Sequence, residues 1–300
     1  MTIDARRGGA GDLLVALWIA ESAKERGVEI KFIAHHAMMD LVRAFGFECV
    51  REPAGDCLQI AGGTPSYDAE MATAPADMTP RVVRWQHTHG WDLGYKRPML
   101  LRDMIPADDW AWAEWASQKN APEKRFVIIS PQAHAKNREI PVQKLMRITT
   151  SLRQNGAHWM AISGSAAPVA PFHPFGVSGA TWLQTIALMS MADLVIGADS
   201  GIAHLGATLG VKTIVVEGPT ISEIVFGHAL DVVHPIKSIA PCAGCYYHFQ
   251  LGHQVACNYG CEAIETIPWF QIRDKAFELL NMSGSSSKPG DGVLPKFRRK

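Results

Sequence analysis

Apolar positions recur at helical spacing from Leu13 to Arg26, with Leu13, Leu14, Leu17, Trp18 and Ala20 on the inward side and Gly27 as the stop. A buried-strand run follows from Val28 to Ala34, then a second helical pattern from Met38 to Phe45, halted by Gly46. Loop, helix, strand and helix in this order point to a parallel sheet covered by helices, the doubly wound α/β class. Only Met1 to Arg7 is left to form the strand that should precede Gly8. From Arg51 to about Pro80 the chain is rich in Gly, Pro and Ala, and Arg81 to Arg102 has no clean period, so this stretch is expected to be irregular. Asp108 to Lys119 reads as a short helix with an acidic first turn, broken by Asn120-Ala121-Pro122, where a domain boundary belongs.

A second alternating series starts at once. Its predicted strands are Phe126–Ser130, Trp159–Gly164, Leu194–Gly197 and Thr213–Val216, and its predicted helices are Val142–Asn155, Trp182–Met191 and Ile202–Leu209. Each strand ends in a loop rich in Gly, Ser, Asp or Pro, where doubly wound domains bind ligands. Pro268 to Asn281 reads as a closing helix before a Ser/Gly/Pro-rich, basic tail expected to be disordered. The expected units are therefore residues 1–118, residues 119–281 and a tail at 282–300.

Composition narrows the classes. A hydrophobic content of 47% with 19% charged residues fits a globular protein and excludes collagen-like or coiled-coil composition. Lys and Arg balance Asp and Glu at 29 each, so any polyanion site must be local rather than a whole-molecule field. No apolar run approaches the roughly 20 residues that span a bilayer, and no signal-peptide pattern opens the chain, so a cytoplasmic location is expected. In a reducing compartment the spacing Cys242-x2-Cys245-x11-Cys257-x3-Cys261 reads as a four-thiolate finger for a structural zinc, with iron as the alternative. His248 and His253 lie in the same loop as substitute ligands.

Three segments carry candidate chemistry. In Asp199-Ser200-Gly201-Ile202-Ala203-His204 a buried strand delivers an Asp, a Ser and a Gly to the start of a helix, whose free N–H groups and dipole suit a phosphate. The same residues also read as a helix cap with His204 as a satisfied buried histidine. Gly8-Gly9-Ala10-Gly11-Asp12 is a second glycine turn opening a helix, with Gly9 and Gly11 beside the backbone amides and Asp12 able to take a proton from an attacking hydroxyl. Ser130 and the cations Lys136 and Arg138 follow the first strand of the second series, where they would offset the charge of a diphosphate leaving group. Gly164 ends the next strand at the same mouth.

Gly9-Ala10-Gly11-Asp12, the run Ala192 to His204, and Gly210-Val211-Lys212-Thr213 leading to Gly218-Pro219-Thr220 together resemble glycosyltransferase family 9, the ADP-heptose:lipopolysaccharide heptosyltransferases and their relatives. The resemblance implies a GT-B architecture, two Rossmann-like domains facing a cleft, here with a cysteine-rich metal finger at 242–261 in the second. It implies an inverting transferase that moves a heptose, hexose or pentose from a nucleotide-diphosphate donor, with Asp12 as general base. Asp199, Ser200, Gly201 and His204 would be donor contacts, and the family's phosphate-touching lysine would fall on Arg138, with Lys136 as the nearer chemical equivalent of that lysine. The chain departs from the family pattern at Glu217, where an aromatic is usual, and in Gly164–Ala167, which lacks an acidic nucleoside contact. The acceptor is a saccharide, a protein, a small molecule or a modified nucleic-acid base. The rival readings are a non-catalytic GT-B module that uses the cysteine finger for protein or nucleic-acid contact, and a sugar-nucleotide epimerase.

Overall fold

The structure is a computed structural model, and it describes residues 1–53, 55–60, 78–118, 125–247 and 261–282. The expected boundary at 119–124, Cys257, His248, His253 and the tail from residue 283 lie outside the described residues.

The first sheet is formed by β1 (Thr2–Asp4), β2 (Lys31–Ile33), β3 (Glu48–Cys49) and β4 (Cys57–Gln59), in the order β3-β2-β1-β4 with every pairing parallel. Short as it is, β1 is an inner strand: its main chain pairs on both sides and Ile3 is fully buried. Helices α1 (Ala10–Glu25) and α2 (Met39–Ala44) follow the first two strands. The stretch expected to be irregular contains α3 (Arg81–Thr88), which breaks that expectation. Its period was hidden by long polar side chains, Arg81, Arg84 and Gln86, that are themselves buried. An extended strap then crosses α1: Ser22 Oγ donates to the Leu93 carbonyl at 2.6 Å and the Lys96 amide to that of Trp18 at 2.9 Å. It ends at α4 (Ala107–Gln118).

The second sheet has β5 (Phe126–Ser130), β6 (His158–Ser163), β7 (Gly176–Ser178), β8 (Leu194–Ala198), β9 (Thr213–Val216) and β10 (Val233–Ile236). Their order is β10-β9-β8-β5-β6-β7, again all parallel. The intervening helices are α5 (Val142–Gln154), α6 (Ala166–Val169), α7 (Trp182–Met189), α8 (Gly201–Thr208) and α9 (Ser222–Val225), and α10 (Glu262–Thr266) and α11 (Trp269–Leu279) close the described chain. Every residue of β5, β6, β8 and β9 is buried, as a parallel sheet covered on both faces requires. The period-two alternation divides them: Val127, Ile129, Leu194 and Ile196 face a core beneath α5 and α11, while Ile128, Met160, Ile162 and Val195 face the first domain.

The two domains meet helix to helix, α1 on α8 and α4 with α2 on α7. This contact explains why α1 is not amphipathic as the sequence suggested. Eleven successive residues, Leu13 to Ala23, are buried, because its outer side is covered by the second domain instead of water. Small residues permit the approach: a β-carbon at Gly201 would lie 3.1 Å from Ala10 Cβ, and one at Gly206 would collide with Thr213 and Val195 of the sheet behind. No described helix is long and apolar enough to cross a membrane.

Candidate active site

The turns that follow β1 and β8 meet at this seam, with the end of β5 beside them, and several of the candidate residues collect there. Ser200 is the N-cap of α8: its Oγ accepts the Ala203 amide at 3.4 Å, and Ser130 Oγ lies 3.4 Å from it. The cap reading of this turn is therefore correct. It leaves the amides of Ser200, Gly201 and Ile202 without a helical acceptor, as at any helix start. Asp199 is 5% exposed and held by two partners, Arg138 Nη1 donating to Oδ2 at 2.9 Å and His204 Nε2 to Oδ1 at 3.2 Å. Burial pushes the Asp199 carboxyl up, but the His204 hydrogen bond and the charges of Arg138, His204 and Arg81 outweigh it and hold it well below the usual carboxylate range. An ionised carboxylate only accepts, so Nε2 of His204 carries the hydrogen, and Nδ1 has no hydrogen-bond partner among the described residues. The ring stacks on Phe226 at 4.1 Å between centroids and presses on Gly11, where a β-carbon would lie 2.8 Å from His204 Cδ2. His204 thus lies in the seam, buried, and not facing an open mouth as the sequence suggested.

The facing turn belongs to α1. Asp12 Oδ2 accepts the Gly9 amide at 3.0 Å, which fixes the carboxylate over the glycine loop, and its side chain remains 24% exposed. The α1 and α8 N-termini therefore converge, with Gly201 against Ala10 and Gly11 against His204. Two helix dipoles point their positive ends at one space. The cation that answers Asp12 is Arg81 at the start of α3, with Nη1 3.5 Å from Asp12 Oδ1 and the guanidinium packed on Trp85. Sequence reasoning passed over Arg81 and Phe226, because each is separated from its partner here by at least 22 positions and stands in no motif. Beside the glycine loop a hollow of about 340 Å³ is lined by Asp4, Arg6, Arg7, Gln59 and Ile60. Arg6 Nη2 donates to Asp4 Oδ2 at 2.6 Å, and that hydrogen bond leads, against burial, in holding the Asp4 carboxyl low.

Two expected site residues stay apart from this cluster. Lys136 is exposed, and the sequence neighbour Arg138 takes the contact with Asp199. Gly164 is exposed with open space around its α-carbon. Glu217, at the end of β9, is 7% exposed and accepts the Ser222 amide at 2.8 Å; burial raises its carboxyl above the ordinary value. The cysteine segment leans on the next turn: the Gly244 amide donates to the Gly218 carbonyl at 2.9 Å, and Cys261 Sγ would lie 3.2 Å from a β-carbon on Gly218. Among the described residues no three His, Cys, Asp or Glu side chains gather closely enough to share a metal ion.

Comparison with known proteins bears on the same residues. Residues 107–227, from α4 to just beyond Phe226, match the model of glycosyltransferase family 9 (heptosyltransferase). A search of the curated proteins found no match. Among solved structures, the glycosyl transferase family 9 protein from Veillonella parvula superposes with a TM-score of 0.71 at 13% identity, covering 93% of this chain and 96% of that one. The E. coli ADP-heptose lps heptosyltransferase II gives 0.63 at 11% identity, over 93% and 98%. The iron-containing dodecameric glycosyltransferase TibC from enterotoxigenic E. coli gives 0.66 at 13% identity, over 93% and 76%. At such identities the structures speak for the fold, and they extend it over the first domain, which the family model does not reach. The chain therefore shares the two-sheet GT-B fold of these heptosyltransferases, and its residues 107–227 are similar to glycosyltransferase family 9.

Proposed function

We propose that the protein is an inverting glycosyltransferase that moves a sugar from a nucleoside-diphosphate donor to an acceptor hydroxyl, with Asp12 as general base. The observation that carries this reading is the meeting of the α1 and α8 N-termini, Asp12 on one side and the Arg138–Asp199–His204 cluster on the other. The donor diphosphate lies over the free amides of Ser200, Gly201 and Ile202. The acceptor approaches from the glycine loop and the hollow beside Asp4, Arg6 and Arg7. Its hydroxyl oxygen bonds to the anomeric carbon as its proton passes to Asp12, and the bond from that carbon to the diphosphate oxygen breaks with its electron pair leaving on the nucleotide. Arg138 and the α8 dipole offset the growing charge. Two similar structures, TibC in complex with ADP-D-beta-D-heptose and E. coli WaaC with ADP-2-deoxy-2-fluoro heptose, make an ADP-heptose the first donor to try.

A structural zinc or iron on Cys242, Cys245, Cys257 and Cys261 belongs to the same proposal. The similar protein TibC is described as iron-containing, and here the three described cysteines fall in the segments that buttress the Gly218 turn.

The test is a thermal-shift panel of nucleoside diphosphates and nucleotide-sugars, followed by transfer assays with the ligand that shifts. Asp12→Asn is expected to keep donor binding and to lower turnover by about 10²–10⁴-fold, the range of a lost general base. Wild-type turnover in that variant would remove Asp12 from the role.

A further inference from the structure

We propose that Gln132 selects the donor nucleoside by donating a side-chain hydrogen bond to a ribose hydroxyl oxygen, an inference that rests on the donor reading above. With the diphosphate at the start of α8, the nucleoside has two directions along the strand ends, toward β9 or toward β5 and β6. The β9 side is closed: Gly218, Pro219 and Thr220 are buried, and the Gly244 and Tyr246 amides donate to the carbonyls of Gly218 and Pro219 at 2.9 and 2.8 Å. The other side is open. Gln132 is half-buried there, residues 164–167 are exposed, and a β-carbon on Gly164 would meet no described residue within 4 Å. Neighbouring strands lie about 4.8 Å apart, so the ends of β5 and β6 stand about 5 and 10 Å from that of β8. Ribose is the group joined to the α-phosphate, so it is the ribose, ahead of the base, that passes over Gln132.

A line of hydroxyls aims this side chain. Ser200 Oγ, the cap of α8, lies 3.4 Å from Ser130 Oγ, and Ser130 Oγ donates to the Gln132 main-chain carbonyl at 3.3 Å. At the end of β6, Ser163 Oγ accepts the Ser165 amide at 3.2 Å and donates its own hydrogen to Gln132 Oε1. Gln132 is thus tied by its main chain from the α8 side and by its carboxamide oxygen from the β6 side. The carboxamide nitrogen carries two N–H groups, and Nε2 has no hydrogen-bond partner among the described residues. A ribose hydroxyl oxygen is an acceptor of the matching kind, and a side chain already tethered gives up little rotamer freedom when the ligand arrives.

The test is calorimetry on the full chain with ADP, GDP and UDP, then with the 2′-deoxy and 3′-deoxy forms of whichever binds most tightly. Wild type is expected to lose about tenfold in affinity for one of the two deoxy forms, the worth of one hydrogen bond. In Gln132→Met the ribose form is expected to weaken by about the same factor and the discrimination to vanish. Ser163→Ala keeps the carboxamide and removes its tether, and a discrimination of about threefold is expected there. Equal affinity of wild type for all three forms overturns the inference, and so does a deoxy penalty that persists in Gln132→Met. Damage to the shape of the site weakens ribose and deoxy forms alike, so the ratio separates a contact from a structural role. Where Gln132→Met binds too weakly to measure, Ser163→Ala decides, and an undiminished ratio in it overturns the inference. Should wild type bind none of the three diphosphates, the donor reading falls and this inference with it; a protein that binds them without the discrimination keeps its donor site and loses only the role of Gln132.

Discussion

A single buried imidazole shows how much the seam depends on charge. His228 is 6% exposed and sits edge-on to Trp18, and burial, followed by His204, Arg81 and Arg97, pushes its pKa well below the ordinary histidine value. The unfolded chain takes up that proton near pH 6.5, whereas the folded chain refuses it. Below pH 6.5 the unfolded state thus binds more protons, so the stability is fully present above that value and falls as the pH drops. The thermal midpoint is expected to decline between pH 7 and pH 5, and the decline to be shallower in His228→Phe; equal slopes would show that His228 takes no part. His234, lowered by burial and by Lys275, supplies part of the remaining slope. Asp12 and the Asp199–His204 run were legible in the sequence because a glycine turn at a helix start leaves a local spacing. Arg81 left none, since Asp12 is 69 positions away. The choice between Lys136 and Arg138 was equally beyond reach, because the 3-10 turn at residues 136–138 determines which of the two cations faces Asp199.

Small side chains do the corresponding work for whole elements. Helix α8 is wedged between β8 and β9 on one side and α1 on the other, and Gly206 is the point of closest approach to the sheet. A β-carbon there would lie 2.6 Å from Thr213 Oγ1 and 3.0 Å from Val195 Cγ2. Gly206→Ala is expected to cost about 1–3 kcal/mol in a denaturant melt despite the better helix propensity of alanine. A gain in stability would mean that the helix has room to move. The strands β5, β6, β8 and β9 were found within a residue or two from their apolar runs alone, as central parallel strands often allow. The edge strands β7 and β10 escaped notice: Gly176–Ser178 is only partly buried, and Val233–Ile236 includes Pro235, which breaks an apolar pattern. Helix α3 escaped for the opposite reason, since polar side chains fill its inward face.

At the scale of the molecule, one apolar cluster runs from Ile3 and Phe32 of the first sheet through α1 and α8 to Val195 and Val215 of the second. The sequence suggested two domains facing a cleft, and two sheets are present, but beneath the mouth they share a core. Calorimetry is therefore expected to give one cooperative transition, raised as a unit by a bound nucleotide; two transitions would show that the shared cluster is too weak to join the halves. The burial of α1 on every side also sets an order of events during synthesis. Trp18 hydrogen-bonds Thr208, 190 positions further along the chain, so the ribosome releases the apolar run Leu13–Ala20 of this helix long before the surface that covers it exists. During that interval the nascent chain exposes this run, and its yield in a cell is expected to depend on chaperone capacity and translation speed as well as on the stability of the finished fold.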